Sequence, residues 1–205
     1  MRVEQLVVGE LATNCYLVTC EQSERAVVID PGGDAPGIVR AIKQAKVTVD
    51  YIVNTHAHLD HNLACAAVKE ATGAKTVIHS LEAPLLSADP TGLAQWLGLK
   101  LPLFLPDVLV NEGGEIVAGQ LRFQVLLTPG HTPGHITLLS DGAAFVGDVL
   151  FHQGIGRTDF PGGSFQQLMD SIRRLLLTLD DDTVVYPGHG PTTTIGAERR
   201  DNPWL

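Results

Sequence analysis

The sequence predicts an α+β fold in which β-sheets pack face to face and helices cover their outer faces. Short apolar runs bounded by turn residues outnumber helical segments, which predicts more strands than helices. Helical segments nevertheless separate several of these runs, so the helices are expected to lie against the sheets. A succession of strands together with helices occurs twice along the chain. This repetition predicts a single domain over residues 1–205 with two related halves joined near 84–107.

The first half begins with three predicted strands, at residues 3–8, 15–18 and 26–29, each followed by turn residues. Ile38, Val39 and Ile42 lie at helical spacing and predict a helix over 35–45. We then expect a short buried strand at 51–53, a helix over 62–72 that ends at Gly73, and a strand at 76–78.

Residues 84–107 contain four prolines and predict an irregular connection with short helical pieces. The segment is too apolar for a disordered linker, and several of its large side chains are expected to be buried. These side chains are Trp96, Leu97, Leu101, Leu103 and Phe104.

The second half repeats the pattern of strands and helices. Strands are predicted at 115–118 and 121–127 around Gly119-Gln120, a two-residue hairpin signal with glycine first, and then at 136–139, 143–146 and 183–186. Ser164 and Gln167 match a capping box at the start of a long helix. Its predicted apolar stripe consists of Phe165, Leu168, Met169, Ile172, Leu175, Leu176 and Leu179.

Composition narrows the class of protein. The 205 residues are 44% hydrophobic and 18% charged, which excludes a disordered chain. Fourteen Lys and Arg against 23 Asp and Glu give 14 − 23 = −9, which argues against nucleic acid or an anionic membrane as partner. The start lacks the features of a signal peptide, no apolar run is long enough for a membrane helix, and three cysteines suggest reduced thiols. We therefore expect a cytoplasmic protein.

Four potential metal ligands lie within six positions: His56, His58, Asp60 and His61. Imidazole and carboxylate groups are good ligands for zinc and iron. His56 and His58 share one side of an extended backbone, whereas the adjacent Asp60 and His61 point in different directions. Two metal ions, one for each pair, fit this spacing better than one.

Further candidate ligands follow three later strands. His131, Asp148 and His189 each come after a buried strand and a glycine, which lets the backbone turn sharply. If the strands align, all seven side chains meet at one edge of the sandwich. His135 is predicted to be structural, His152 to be exposed, and Cys15 and Cys65 to be small buried hydrophobic residues.

This ligand series resembles that of the metallo-β-lactamase fold superfamily over nearly the whole chain. The resemblance implies a four-layer αββα sandwich. It also implies that His56, His58 and His131 hold the first metal, that Asp60, His61 and His189 hold the second, and that Asp148 bridges them.

Within this superfamily the chain is most similar to short glyoxalase II-like proteins, the hydroxyacylglutathione hydrolases. The similarity rests on residues 147–151, 156–163, 186–193 and 198–203. Two features depart from that pattern. The chain ends where a C-terminal helical domain that helps to hold glutathione would begin, and Asn62-Leu63-Ala64 stand where a Gly-Gly pair is common.

The expected activity is cleavage of a thioester, such as S-lactoylglutathione or a related S-acyl glutathione, by a hydroxide that two divalent ions share. Zinc is the expected metal, with iron or manganese as alternatives. Asp60 is expected to orient the hydroxide. Arg157 either binds a substrate carboxylate or pairs with Asp159.

An alternative function is that of a persulfide dioxygenase, a family that shares the segment 156–160 and acts on glutathione persulfide. One Fe(II) would then be held by His56, His131 and Asp148 as a facial triad. Pro161-Gly162-Gly163 favour the hydrolase. In either case we expect a small-molecule substrate, no nucleic acid or membrane partner, and a monomer or small homo-oligomer.

Overall fold

A computed structural model of the protein describes residues 1–88, 91–99, 101 and 104–205. Most of the first half of the chain forms a six-stranded sheet in the order β1-β2-β3-β4-β5-β6. The first three strands form an antiparallel meander, and β3 to β6 run parallel. The strands are β1 (Arg2–Val8), β2 (Thr13–Cys20), β3 (Arg25–Ile29), β4 (Thr48–Val53), β5 (Lys75–His79) and β6 (Val108–Val110).

The second half forms another six-stranded sheet, in the order β14-β13-β10-β9-β8-β7. Its pairs are antiparallel except for β10 and β13, which run parallel. Its strands are β7 (Glu115–Ala118), β8 (Leu121–Leu127), β9 (Ile136–Ser140), β10 (Ala143–Gly147), β13 (Val184–Pro187) and β14 (Thr193–Thr194). A separate two-stranded ribbon consists of β11 (Leu150–Phe151) and β12 (Gly154–Ile155).

Six α-helices and one 3₁₀ helix accompany the sheets in the described part of the chain. Two of the longest, α1 and α5, begin with side-chain caps: Asp34 accepts from the Gly37 N–H and Ser164 from the Gln167 N–H. The helices are α1 (Ala35–Ala45), α2 (Leu59–Asn62), α3 (Cys65–Thr72), the 3₁₀ helix (Ala83–Ser87), α4 (Leu93–Leu97), α5 (Phe165–Thr178) and α6 (Ile195–Asp201).

Three apolar layers hold these elements together. Between the sheets, Tyr16 and Val27 of the first pack with Phe123 and Phe145 of the second. On the outer face of the first sheet, Ile38 and Ile42 of α1 and Val68 of α3 pack against strand residues. On the outer face of the second sheet, Leu168 and Ile172 of α5 do the same. The predicted αββα sandwich is therefore confirmed.

Helix 62–72 was predicted with the wrong start. The structure contains two helices there, α2 and α3, because the helical hydrogen-bond ladder is interrupted between Asn62 and Cys65. The Ala64 N–H donates to the Pro31 carbonyl at 2.9 Å, outside any helical ladder. This bond fastens the turn to the loop after β3.

The proline-rich segment 84–107 connects β5 to β6, and both of these strands belong to the first sheet. The chain passes to the second sheet after Val110, slightly later than the joint predicted near 84–107. The segment contains part of the 3₁₀ helix and all of α4, which agrees with the short helical pieces expected there.

Two predicted core side chains are exposed instead. Trp96 is 73% exposed and Phe165 is 53% exposed. Phe165 occupies the first turn of α5, before the helix reaches the sheet, and Leu168 is the first residue of the stripe to be fully buried. The predictions for Leu103 and for the Leu176 side chain fall outside the described residues.

The two sheets are joined by polar bonds where β2 meets the end of β13. The Asn14 N–H donates to the Gly188 carbonyl at 2.7 Å, and the buried Tyr16 hydroxyl donates to the Pro187 carbonyl at 2.6 Å. The Asn14 amide donates to the same Pro187 carbonyl at 2.9 Å. These bonds fix the backbone just before His189. Among the described helices none is long and apolar enough to cross a bilayer.

Replacing Tyr16 by Phe is expected to lower the free energy of unfolding by about 1 kcal/mol, because one buried hydrogen bond is lost while Asn14 still satisfies the Pro187 carbonyl. Chemical denaturation measures this change. Tyr186→Phe is the control, since its ring stacks in the same aromatic cluster. An equal loss in both variants would show that the Tyr16 bond is not its source.

Candidate metal centre

The seven predicted metal ligands meet at the edge of the sandwich where strands of both sheets end. His56, His58, Asp60 and His61 follow β4 of the first sheet, and the other three follow strands of the second. His131 comes after β8, Asp148 directly after β10, and His189 directly beyond Gly188 after β13.

These side chains form three overlapping groups, in each of which one ligand atom per residue lies within 4.8 Å of the others. Two of the groups coincide with the two metal sites that the sequence resemblance implies. The groups are His56, His58 and His131; His56, His61 and Asp148; and Asp60, His61 and His189.

Asp148 lies between the two sites. Its Oδ2 is 3.7 Å from His131 Nε2 and also 3.7 Å from His189 Nε2, and its Oδ1 is 3.5 Å from His61 Nε2. Because Oδ2 lies near a residue of each site and Oδ1 lies near His61, this carboxylate is placed to bridge two cations.

The buried atoms of this cluster fit divalent metal ions. His56 Nε2, His61 Nε2 and Asp148 Oδ1 are buried and have no hydrogen-bond partner among the described residues. Buried polar atoms in proteins are nearly always satisfied, so these atoms require another partner. Imidazole nitrogen and carboxylate oxygen suit zinc, iron and manganese. The cluster therefore indicates divalent metal ions, without selecting one element.

Hydrogen bonds to one ring nitrogen of each of three imidazoles turn the other ring nitrogen towards the centre. His56 Nδ1 lies 3.0 Å from the Thr55 hydroxyl, and His61 Nδ1 lies 3.1 Å from an oxygen of Asp30. His131 Nδ1 donates to the Arg157 carbonyl at 2.8 Å.

Asp30, which the sequence analysis treated only as the end of a strand, is a central support of the site. Its carboxylate accepts from the Thr55 N–H and the Thr55 hydroxyl, both at 2.7 Å, and contacts His61. Part of the signal that located the later ligands is present here too: Asp30 follows a buried strand, although its glycine, Gly32, comes after it. That signal could have identified it.

Glu82 is a second buried carboxylate that the sequence analysis missed. Its two oxygens accept from the Ala57 N–H at 2.8 Å and from the Gly134 N–H at 2.7 Å. It thus joins the loop that carries His58 to the loop that carries His131. Burial raises the pKa of Glu82, although these hydrogen bonds oppose the rise. No motif in the sequence indicates this role.

Asn62, which departs from the family pattern, also braces the first loop. Its amide donates to the Ala57 carbonyl at 2.8 Å and to the His58 carbonyl at 2.9 Å. These two bonds fix the turn around His58.

Two glycines permit the close approach of backbone to ligand. A Cβ atom on Gly32 would overlap the Asp60 carbonyl, and one on Gly188 would overlap Asp148 Oδ1. Any larger residue at these positions would displace a candidate ligand.

The remaining histidines lie outside the three groups. His135 is fully buried, and its Nε2 accepts from the Asp148 N–H at 3.0 Å, which agrees with a structural role. Burial lowers its pKa well below the usual value, so the ring is neutral. His79 accepts from the Leu81 N–H, and the side chain of His152 is half exposed beside Glu198.

When no cation balances the carboxylates, several ionisable groups of the cluster have pKa values far from their usual ones. Burial lowers the pKa of His61, but neighbouring carboxylates outweigh this effect and raise the pKa to about 10. Burial and the charge of His131 lower the pKa of His58 to about 3. Burial raises the pKa of Asp60, yet His61 and His189 bring it well below its usual range.

A cavity of about 560 Å³ opens above the cluster and exposes several of its ligands. Arg157 lines this cavity, but its guanidinium makes two hydrogen bonds to Asp159, at 2.7 and 2.6 Å, and lies over the Phe160 ring. The structure therefore contains the Asp159 pair that was one of the two expectations for Arg157. The exposed Trp96, on α4, also lines this cavity.

Comparison with known proteins identifies a family model, described as the metallo-beta-lactamase superfamily, that matches residues 8–189. A curated relative, the hydroxyacylglutathione hydrolase GloC of Haemophilus influenzae, is 40% identical over 209 residues. The match covers 100% of this chain and 98% of the relative.

Three solved structures are similar along almost the whole chain. The BLEG-1 B3 metallo-beta-lactamase has a TM-score of 0.92 at 37% identity, covering 100% of this chain and 99% of that one. TTHA1623 in a di-iron-bound form has a TM-score of 0.88 at 36% identity, covering 98% and 100%. ETHE1 from Myxococcus xanthus has a TM-score of 0.81 at 37% identity, covering 99% and 84%.

Replacing Glu82 by Gln is expected to lower the metal affinity of the group that contains His58 and His131 by about 10- to 100-fold. The amide group would place its own donor against one of the two backbone N–H groups, which loosens the loops carrying His58 and His131. Competition with a chelator measures both affinities. Glu112→Gln is the control, because Glu112 also accepts from a backbone N–H but pairs with Arg174 instead. Unchanged affinity in Glu82→Gln would contradict this role.

Metal uptake between pH 7 and 9 is expected to release a proton from His61, because a pKa of about 10 keeps it charged in the metal-free protein and a ligand must be neutral. Metal affinity therefore rises with pH. Calorimetry in buffers of different ionisation enthalpy counts the proton. Asp30→Asn removes one of the carboxylates that raise this pKa and should reduce the release at pH 9. Metal binding without proton release would refute the assignment.

Proposed function

Because the chain belongs to the metallo-β-lactamase superfamily, we propose that it is a metallohydrolase that cleaves a thioester, an S-acyl glutathione such as S-lactoylglutathione. The observation that carries the proposal is the pair of three-residue ligand groups with Asp148 between them. The GloC relative, similar over its full length, supports the substrate class.

His56, His58 and His131 would hold one cation, Asp60, His61 and His189 the other, and Asp148 both. Two divalent ions, zinc in this proposal, would lower the pKa of water and polarise a substrate carbonyl. The described lining of the cavity contains no serine or cysteine that would act as a nucleophile instead. Water is therefore the proposed nucleophile.

Asp60 would orient that water. Its Oδ2 lies 3.3 Å from His189 Nε2, and its side chain is 15% exposed at the cavity. Because the pKa of Asp60 is lowered, its carboxylate is ionised and can accept a hydrogen bond from the water. A thiolate is a good leaving group, so the reaction needs no strong general acid.

The second candidate is a mononuclear Fe(II) persulfide dioxygenase with His56, His131 and Asp148 as ligands. The similarity to ETHE1 and to a di-iron structure keeps this function open. Arg157 would serve either reaction by leaving Asp159 for a substrate carboxylate. The cytoplasmic location, the absence of nucleic-acid and membrane partners, and a monomer or small homo-oligomer stay predictions.

The purified protein is expected to contain about two metal ions per chain and to release free thiol from S-lactoylglutathione. His58→Ala should lower kcat/KM by about 100-fold or more, because it removes a ligand that the binuclear site needs. Metal analysis and a thiol-release assay measure both. His152→Ala, a half-exposed histidine outside the three groups, is the control.

The alternative predicts different results in the same preparation. One iron per chain, oxygen uptake that depends on glutathione persulfide, and only a small effect of His58→Ala would reject the hydrolase in favour of the dioxygenase.

A further inference from the structure

A second cavity of about 350 Å³ lies beside the cavity over the metal centre. Leu11, Asp60 and Leu93 line both cavities, so the boundary between the two includes a candidate metal ligand. Leucines dominate the walls of the second cavity. They are Leu11, Leu59, Leu63, Leu93, Leu97 and Leu99.

Helices α2 and α4 both contribute leucines to this leucine-lined cavity. Leu59 begins α2, which also carries Asp60, and Leu63 directly follows the end of α2. Leu93 and Leu97 lie four residues apart on one face of α4. The leucines of α2 and α4 pack into one small apolar cluster.

We propose that the leucine-lined cavity binds the acyl chain of the substrate, so that the preferred thioester carries an apolar alkyl group of several carbons rather than a lactoyl group. This inference rests on the proposed thioester cleavage. Asp60 borders both cavities, so in this proposal the reacting carbonyl lies beside Asp60, the acyl chain in the leucine-lined cavity and the thiol portion in the larger one.

The thiol portion fits the larger cavity better. A glutathionyl group contains peptide bonds and carboxylates, which leucine walls would leave without hydrogen bonds. Glu10 and Asp34 also line the smaller cavity and would repel carboxylates. The larger cavity contains Arg157 and Thr91, which are polar.

The test is a series of S-acyl glutathiones with straight acyl chains of two to eight carbons. Each additional methylene buried in the cavity is expected to raise kcat/KM about fourfold until the cavity is full. Leu63→Phe fills the cavity and should abolish this increase, so that kcat/KM no longer rises with chain length. Leu109→Phe, at an exposed position on β6, is the control and should retain the increase.

Calorimetry with uncleavable S-hexyl and S-methyl glutathione separates the two proposals. Cleavage that does not vary with chain length, together with equal binding of both thioethers, would overturn the acyl-chain site and leave the hydrolase standing. A different outcome is that the S-hexyl compound binds more tightly, that Leu63→Phe removes this difference, and that no thioester is cleaved. This outcome would support the alkyl site and reject the hydrolase.

Discussion

The main physical constraint on this structure is the burial of ionisable side chains at one edge of two apolar sheets. Seven candidate ligands and two further carboxylates lie where strands of both sheets end, and most of them are buried. Burying charge is unfavourable unless each group is paired. Asp30 and Glu82 meet this requirement by accepting hydrogen bonds from the backbone of the ligand loops, and divalent cations meet it for the atoms that have no protein partner. The sandwich supplies the rigid frame in which these bonds form.

Much of this arrangement could be predicted from the sequence, because the relevant signals are local. Helix α1 and strands β7 and β8 were predicted with the observed bounds, since alternation, helical spacing and the Gly119 turn are encoded over a few residues. The candidate ligands were found because each follows an apolar strand and a turn. A sandwich aligns such strand ends, so residues distant in sequence come together.

The parts that could not be predicted depend on contacts between distant segments. Glu82 has no sequence motif, and its role appears only when Ala57 and Gly134 lie on either side of it. The break between α2 and α3 follows from Asn62 and Ala64 bonding outside the helix. Trp96 was expected in the core because of its size, yet α4 presents it to the cavity. Hydrophobic content alone does not distinguish a core residue from one that lines a cavity.

Because both sheets supply ligands, metal binding also affects the stability of the fold. The first sheet supplies four of them and the second supplies three, and every group of three draws on both sheets. A bound cation therefore acts as a crosslink between the two halves of the chain, and the free energy of coordination adds to the stability of the native state. The population of folded protein in a cell thus varies with the supply of free metal, so metal limitation would deplete the protein as well as its activity.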